Sequence, residues 1–324
     1  MTSCVLSNRV GRRLVPPLAL LATLAILGCP SSGGAGAEGR SQEPKAEDTR
    51  EIGGAPEGPV RIAFVPSVEQ GAIEMQLGEF DRKLSETLGH PVESSIVLSY
   101  TACVEQMAAG HFEAALLPPL AYVLAHDRYG VEVALKAVRR GSPTYRGEIL
   151  ARVDSGIDSL EDLRGRTFGF TDVSSTSGHL YPKTLLINSG IDPETDLAEV
   201  TFVGSQHSAV VEAVLHGRID AGACFDDART LLEETEPDVM ESTKVIAYTP
   251  QIPADTVSLR ADCVGPFYDR LVDALMALSR EGENSALMRI YSIEELVPAE
   301  DSDYDPIRQM VTTLNIDIEA ELEK

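Results

Sequence analysis

The chain has 324 residues, and its 51 acidic and 27 basic side chains give a formal net charge of −24. Proteins that bind nucleic acids present a basic face to the phosphate backbone, so this charge argues against a nucleic-acid partner. At first sight the net charge also disfavours an anionic ligand. Because surface charge is screened beyond about 8 Å at physiological salt, however, local hydrogen bonds can still hold an anion. The length leaves room for more than one domain core.

The beginning of the chain carries targeting information. A basic stretch at residues 9–13 precedes an apolar run at residues 18–27, which is typical of a secretory signal and shorter than the roughly 20 residues of a membrane span. Residues 26–29, Ile-Leu-Gly-Cys, resemble a bacterial lipobox. We therefore expect a lipoprotein signal peptide at residues 1–28, lipidation of Cys29, and a lipid-anchored protein in the periplasm or on the outer cell surface. Ordinary signal cleavage near the same place is the alternative.

The next segment has the composition of a tether. Residues 30–59 are rich in Gly, Ala, Ser, Pro and Glu and have almost no large apolar side chains. Such a segment cannot bury enough surface to offset the entropy lost on ordering. We predict a flexible tether at residues 29–59 and a folded body that begins near Val60.

The cysteines of the folded body are predicted to be buried side chains and not metal ligands. Beyond Cys4 and Cys29, the chain has Cys103, Cys224 and Cys263, an odd number without metal-like spacing. One disulfide is compatible with an oxidising compartment, but the sequence does not select a pair. The preferred interpretation is three small buried side chains, with no metal and no cofactor.

The folded body alternates strands and helices. Short apolar runs predict strands at residues 61–65, 113–117, 131–136, 166–171, 199–203, 221–225 and 244–248. Helical patterns lie between them, for example at residues 71–88, 101–109, 178–188, 209–216 and 267–280. Strands separated by helices of this length predict an α/β fold with parallel sheets covered on both faces.

Two extended segments, residues 148–153 and 255–260, are interpreted as crossovers between two lobes. The first lobe would then contain residues 60–153 plus 257–324, and the second would contain residues 154–256. Two α/β lobes joined in this way enclose a cleft that can close on a ligand.

Several short motifs follow one another in a defined order. Residues 165–178 read Gly-Arg-Thr-Phe-Gly-Phe-Thr-Asp-Val-Ser-Ser-Thr-Ser-Gly and are followed by Tyr181-Pro182. Further motifs are Tyr100 at a helix start, Leu117-Pro118-Pro119 with Tyr122, and the segments at residues 141–146, 204–207 with Ala213-Val214, 217–222 and 249–255. Together these motifs resemble the periplasmic phosphate/phosphite/phosphonate-binding proteins over nearly the whole body.

This resemblance implies a two-lobed, type II periplasmic-binding-protein fold with two crossover hinge strands, which delivers its ligand to an ABC permease. In the family the anion is held by a Ser-Thr-Ser turn, two tyrosines, a histidine and an aspartate. The matching positions are Tyr100, Tyr145, Ser175, Thr176, Ser177, His207 and Asp255. The chain departs from the family pattern in two places, where Gln206 is inserted before His207 and Thr256 replaces the usual proline after Asp255.

The types and positions of the same residues also allow interpretations that do not depend on the resemblance. Ser175, Thr176 and Ser177 lie between a strand and a helix, where simple capping is the preferred interpretation and an anion at the helix N-terminus is compatible with it. His207 starts another helix and could donate a ring N–H to an oxyanion. Tyr100 and Tyr145 could donate phenolic O–H groups or simply pack half-buried.

Asp255 constrains the ligand most. A carboxylate repels a fully ionised oxyanion, but it can accept a hydrogen bond from a P–OH group or an ammonium group. We therefore expect selection of a ligand with such a donor and rejection of sulfate. Five or six charge-assisted hydrogen bonds of roughly 1.5–3 kcal/mol, less the cost of immobilisation, suffice for micromolar binding.

Charged residues near these motifs have two interpretations. Arg146 either assists anion binding or is simply solvated, and the second interpretation is preferred. Asp226 and Asp227 either contact the amino group of an aminoalkylphosphonate or form a solvated helix start, which is again preferred.

An enzyme and a sensor are the alternatives to capture. Ser177, His207 and Asp255 have the residue types of a hydrolase triad, but no Gly-x-Ser-x-Gly elbow surrounds the serine, so we predict no enzyme and no catalytic residue. A tethered sensor that signals through a membrane partner remains an alternative to transport. The preferred prediction is a monomer that captures a phosphonate, with phosphite or phosphate open, and has ABC permease subunits and a lipid anchor as partners.

Overall fold

A computed structural model of the chain describes residues 54–282 and 285–313. The predicted signal peptide, the lipidation of Cys29 and most of the predicted tether lie outside these residues. Within the two described ranges, no helix is long and apolar enough to cross a membrane.

The secondary structure alternates strands and helices, as the apolar runs predict. The strands are β1 Val60–Phe64, β2 Val92–Ile96, β3 Ala114–Leu117, β4 Glu132–Val138, β5 Thr144–Tyr145, β6 Gly147–Arg152, β7 Thr167–Phe170, β8 Glu199–Phe202, β9 Ala221–Phe225, β10 Thr243–Tyr248, β11 Ile252–Pro253, β12 Thr256–Leu259 and β13 Glu295–Pro298. The helices are α1 Gln70–Leu88, α2 Tyr100–Ala108, α3 Pro119–Tyr129, α4 Tyr181–Asn188, α5 His207–Leu215, α6 Val239–Ser242, α7 Pro266–Ser279, α8 Ala286–Tyr291 and α9 Asp305–Thr313.

The strands form two main sheets and one short ladder. The first sheet has six strands in the order β13-β4-β12-β3-β1-β2, and the second has five in the order β10-β6-β9-β7-β8. Between them, β5 and β11 pair antiparallel through Tyr145 opposite Ile252 and Thr144 opposite Pro253. The two sheets define the two lobes, and the short ladder joins the segments that connect them.

The prediction of parallel sheets is confirmed only in part. Strands β2, β1 and β3 are parallel, as are β8, β7 and β9, but β12 runs antiparallel to β3 and β6 runs antiparallel to β9. The reason is the route of the chain. Both β12 and β6 arrive from the opposite lobe. Each therefore enters its sheet at the carboxyl ends of the parallel strands and runs in the reverse direction.

The predicted crossovers are also wrong in position. Residues 148–153 and 255–260 largely coincide with β6 and β12, which lie inside the sheets. The connections run instead through residues 139–146 and 249–255, which contain β5 and β11 respectively. Assigned by sheet, residues 60–138, 256–282 and 285–313 build the first lobe and residues 147–248 the second, so the predicted boundary at residue 153 moves back.

Both faces of each sheet are covered by apolar packing, as predicted. In β1, Ile62 and Phe64 join one buried cluster, whereas Ala63 joins another on the opposite face. In β6, Ile149 and Leu150 likewise belong to separate clusters. This alternation follows from the two-residue repeat of a strand, which sends successive side chains to opposite faces.

The cysteines behave as small core residues. Cys103, Cys224 and Cys263 are all buried and unpaired. They belong to three different apolar clusters, so no two of them share a packing environment. The preferred interpretation as buried side chains is confirmed.

Candidate functional site

A cavity of about 580 Å³ lies between the lobes and is walled by both of them and by the connecting segments. The structure brings nearly all of the predicted site residues to this cavity. Its lining includes Tyr100, Tyr145, Ser175, Ser177, His207 and Asp255. Thr176 is the predicted residue that does not line it.

The Ser-Thr-Ser segment forms a tight turn between β7 and α4. Ser175 precedes a π-helical turn, Thr176–Leu180, and its Oγ accepts a hydrogen bond of 3.1 Å from the backbone N–H of Gly178. The capping interpretation is therefore confirmed for Ser175. A Cβ atom at Gly178 would lie 1.9 Å from Oγ1 of Thr171, so only glycine allows the turn to pack this closely against β7.

Thr176 connects the lobes instead of facing the cavity. Its Oγ1 accepts a hydrogen bond of 2.8 Å from the backbone N–H of Leu120, in the first turn of α3. The Thr176 side chain is fully buried. In the structure, Thr176 therefore fixes the Ser-Thr-Ser turn against the first lobe.

His207 is held as a neutral hydrogen-bond donor. Its Nδ1 accepts a hydrogen bond of 3.0 Å from the backbone N–H of Phe225, at the end of β9. Because Nδ1 is the acceptor, the proton of the neutral ring resides on Nε2. Burial lowers the pKa of His207 to about 3, so the ring stays uncharged at physiological pH.

The two tyrosines are also neutral donors, with different surroundings. Burial raises the pKa of Tyr100, and the nearby charges of Asp172 and Asp255 raise it further. The Tyr100 hydroxyl donates to the backbone oxygen of Ser205 at 3.2 Å, so a ligand would have to share or replace this bond. Burial, followed by the charge of Asp255, likewise raises the pKa of Tyr145, which lies in the β5–β11 ladder.

Asp255 has a partner that the sequence interpretation missed. Its Oδ2 accepts a hydrogen bond of 2.8 Å from Nη2 of Arg139, which also lines the cavity. The only sequence signal was position, since Arg139 follows a predicted strand and precedes the motif at residues 141–146. The cavity wall therefore combines neutral hydrogen-bond donors with a compensated ion pair.

Arg146, Asp226 and Asp227, which also line the cavity, all form ion pairs. Nη2 of Arg146 lies 2.6 Å from Oδ2 of Asp226, and the Arg146 guanidinium stacks 4.0 Å from the ring centre of Tyr248. Asp227 caps a short 3₁₀ helix, and its carboxylate pairs with Arg229 at 2.8 Å. The helix-start interpretation is confirmed for Asp227, but the solvated interpretation of the two aspartates is wrong because both are paired and largely buried. The side chain of Arg146 remains 37% exposed beside its partner.

Polar contacts hold the lobes together around the cavity. Oγ1 of Thr101 lies 2.8 Å from Oγ of Ser174, and the backbone N–H of His207 donates to the oxygen of Ser67 at 3.3 Å. The Leu120–Thr176 and Tyr100–Ser205 hydrogen bonds also cross between the lobes. The structure therefore presents the two lobes closed on each other.

The geometry bears on the hydrolase and metal alternatives. His207 accepts from a backbone N–H and Asp255 pairs with Arg139, so the Asp–His hydrogen bond of a triad is not formed in the described part of the chain. Across residues 54–282 and 285–313, no group of three or more His, Cys, Asp or Glu side chains is arranged to hold a metal ion.

Comparisons with known proteins show the family of the chain. The family described as "ABC transporter, phosphonate, periplasmic substrate-binding protein" matches residues 62–304. The chain is 27% identical to the phosphate-import protein PhnD of Mycolicibacterium smegmatis, over 78% of this chain and 84% of that protein. It is 24% identical to the phosphonates-binding periplasmic protein of Escherichia coli, over 78% of this chain and 75% of that protein.

Solved structures show the same fold. PhnD1 of Prochlorococcus marinus in complex with methylphosphonate superposes with a TM-score of 0.70 at 19% identity, covering 79% of this chain and 98% of that one. A binding-protein component of an ABC phosphonate transporter from Pseudomonas aeruginosa gives a TM-score of 0.69 at 23% identity, covering 79% and 86%. The length and position of the family match decide the assignment: the chain belongs to the periplasmic substrate-binding proteins of phosphonate ABC transporters.

Proposed function

We propose that this protein captures a phosphonate in the interlobe cavity, outside the cytoplasm, and delivers it to ABC permease subunits. The observation that carries the proposal is the composition of the cavity wall. Neutral donors from both lobes, Tyr100, Ser177 and His207 among them, face the same space as the Asp255 carboxylate. A phosphoryl group that keeps one proton satisfies both kinds of partner.

The site residues have distinct roles in this proposal. Ser175, Ser177 and the turn that follows them offer hydroxyl and backbone donors, and Nε2–H of His207 offers a ring donor. Tyr100 and Tyr145 add phenolic O–H groups, whereas Thr176 fixes the turn. Hydrogen bonds to a charged group contribute roughly 1.5–3 kcal/mol each, so several of them hold an anion despite the net charge of −24.

Asp255 distinguishes the ligand from sulfate in this proposal. Its carboxylate accepts a hydrogen bond from a P–OH group, and sulfate at neutral pH brings no such proton. Phosphite and phosphate have the same donor and remain candidates, because relatives of this chain carry phosphate and phosphite in their names. Capture by a monomer, without chemical change of the ligand, is part of the same proposal.

A binding screen tests the ligand class. The purified protein is titrated calorimetrically with methylphosphonate, 2-aminoethylphosphonate, phosphite, phosphate and sulfate, and thermal shifts are recorded in parallel. A ligand at 100 times its dissociation constant adds about 2.7 kcal/mol to the free energy of unfolding. We expect at least one phosphorus oxyanion to bind more tightly than sulfate, and equal affinities would contradict the role of Asp255.

Lipid anchoring through Cys29 completes the proposal. It rests on the basic stretch, the apolar run and the Ile-Leu-Gly-Cys sequence at residues 26–29. Metabolic labelling with a radioactive fatty acid is expected to mark the wild-type protein and not a C29S variant. Equal labelling of the two proteins would remove Cys29 as the anchor.

A further inference from the structure

The Arg139–Asp255 ion pair lies where both connecting segments join the first lobe. Arg139 directly follows β4, and Asp255 directly precedes β12. The backbone N–H of Ala137 donates to the oxygen of Asp255 at 2.9 Å, which ties the two segments together beside the pair. The two charges are therefore positioned by the backbone and not by mobile loop ends.

The guanidinium of Arg139 is oriented by two hydrogen bonds. Nη2 donates to Oδ2 of Asp255, and Nε donates to the backbone oxygen of Tyr291, each at 2.8 Å. Tyr291 is itself fixed, because its hydroxyl donates to the backbone oxygen of Val65 at 2.5 Å. A guanidinium fork held at two points presents its other N–H groups in a defined direction.

The pair retains unused hydrogen-bonding capacity at the cavity wall. A guanidinium has five N–H donors, and those of Arg139 beyond Nε and one on Nη2 have no protein acceptor among the described residues. Oδ1 of Asp255 likewise accepts no protein hydrogen bond in that part of the chain. Both side chains line the cavity and are partly exposed, at 23% for Arg139 and 30% for Asp255.

We propose that Arg139 is a further ligand-binding residue, which forms with Asp255 a donor beside an acceptor that together hold one edge of a monoprotonated phosphoryl group. The ionised oxygen of the ligand accepts from Arg139, and its P–OH donates to Oδ1 of Asp255. This inference rests on the proposed capture of a phosphorus oxyanion. It assigns the charge compensation of the site to one residue.

The pair explains how a carboxylate is tolerated in an anion site. Without Arg139, the Asp255 charge would repel every anionic ligand, and it would repel the doubly charged sulfate more than a singly charged phosphonate. With Arg139, the two protein charges cancel locally, while the order of donor and acceptor still rejects an anion whose oxygens are all ionised. Removing one member of a partly buried pair leaves the other uncompensated, which is the costly case.

The test compares affinities for methylphosphonate and sulfate at pH 7 by calorimetry. We expect R139M to lose roughly 10- to 100-fold in affinity for methylphosphonate, the range of a charge-assisted hydrogen bond. Because Asp255 is then uncompensated, sulfate loses more, and the preference for methylphosphonate rises. D255N is expected to reduce that preference, and the double variant R139M/D255N to recover part of the R139M loss.

Controls separate this role from folding and from overall charge. R82M removes an exposed arginine that pairs with Glu86 on α1, so it changes the net charge equally and should bind like the wild type. Circular dichroism melting checks folding, and R139K, which keeps the charge but not the fork, is expected to lose less than R139M. If R139M does not fold, R139K with D255N supplies the same comparison.

The outcomes distinguish the two proposals. If the wild type binds no phosphorus oxyanion, the proposed function fails. If the wild type binds but R139M and R139K bind as R82M does, the inference about Arg139 fails and the function stands. Loss of both anions in equal proportion, without recovery in the double variant, would make Arg139 a purely structural residue and would also overturn the inference.

Discussion

The carboxyl group of Glu148 is fully buried in β6, behind the paired charges of the cavity wall. Its Oε1 accepts from Sγ of Cys224 at 3.5 Å, and its Oε2 has no hydrogen-bond partner among the described residues. Burial, followed by repulsion from Asp227, raises the pKa of Glu148 from 4.5 to about 8. The charge of Arg229 opposes this rise, but its guanidinium already pairs with Asp227. Glu148 is therefore protonated and uncharged at pH 7.

Replacing Glu148 with Gln is expected to change how stability depends on pH. The folded state keeps the Glu148 proton up to about pH 8, whereas the unfolded chain loses it near pH 4.5. The wild type therefore loses stability as the pH rises between these values, by up to about 1.4 kcal/mol per pH unit. Denaturant unfolding should show E148Q close to the wild type at pH 5 and more stable at pH 8.5.

The control for this prediction is E199Q, at an exposed position of β8 in the same sheet. Its unfolding free energy should follow that of the wild type at both pH values. If E148Q also follows the wild-type profile in parallel, Glu148 is ionised in the folded protein and the prediction is wrong.

Site residues were predictable where the residue type and motif carry the information. The serines, His207 and Asp255 occur in ordered motifs, and the structure brings them to one cavity. Arg139 was missed because its role depends on Asp255, 116 positions away in the sequence. Thr176 illustrates the converse, since a residue inside a motif can turn toward a neighbouring helix instead of the cavity.

At the scale of elements, the Ser-Thr-Ser turn depends on the first residue of β6. A Cβ atom at Gly147 would lie 2.5 Å from the backbone oxygen of Ser177 and 3.1 Å from Cγ2 of Thr249. Gly147 also donates its N–H to Oγ1 of Thr249 at 2.8 Å and accepts from the Thr249 N–H at 2.9 Å. The strand, the turn and the second connecting segment therefore meet at one position that has no room for a side chain.

A methyl group at Gly147 is expected to displace the turn. Because Ser177 meets the added Cβ through its backbone, relief requires a shift of the chain, and overpacking of this kind costs about 1–3 kcal/mol. We expect G147A to lower the melting temperature and to weaken methylphosphonate binding by roughly tenfold or more. The readouts are calorimetric affinity and thermal unfolding.

Gly78 provides the matched control for this substitution. It lies in α1, where an added Cβ meets nothing within 4 Å, so G78A should leave binding unchanged and stabilise the helix by up to about 1 kcal/mol. Wild-type affinity in G147A would show that the turn tolerates the displacement or that it does not hold the ligand.

Element positions were more predictable than their directions. Apolar runs located strands such as β1, β3 and β9 to within about a residue, because a buried strand needs a continuous apolar run. The half-exposed β2, whose buried and exposed positions alternate, was missed. The antiparallel direction of β6 and β12 depends on the path between lobes, which local sequence patterns do not encode.

For the whole molecule, closure of the lobes is stabilised by contacts outside the ligand cavity. Thr101 in the first turn of α2 bonds Ser174 after β7, and Leu120 bonds Thr176, each at 2.8 Å. Ser174 is fully buried in this arrangement. A binding protein that must open to admit its ligand loses these hydrogen bonds each time, so they bias the open–closed equilibrium and thereby the affinity.

Replacing Thr101 with Val tests this coupling without altering the cavity lining. The change removes one interlobe hydrogen bond of about 0.5–1.5 kcal/mol net, so methylphosphonate affinity should fall by roughly 2- to 12-fold. Small-angle scattering of the ligand-free protein should show a larger radius of gyration, because more molecules are open. T87V removes a comparable hydroxyl, which bonds Lys83 within α1, and should change neither quantity. If T101V matches T87V in both, the Thr101–Ser174 contact does not contribute to closure, and the affinity is set within the cavity alone.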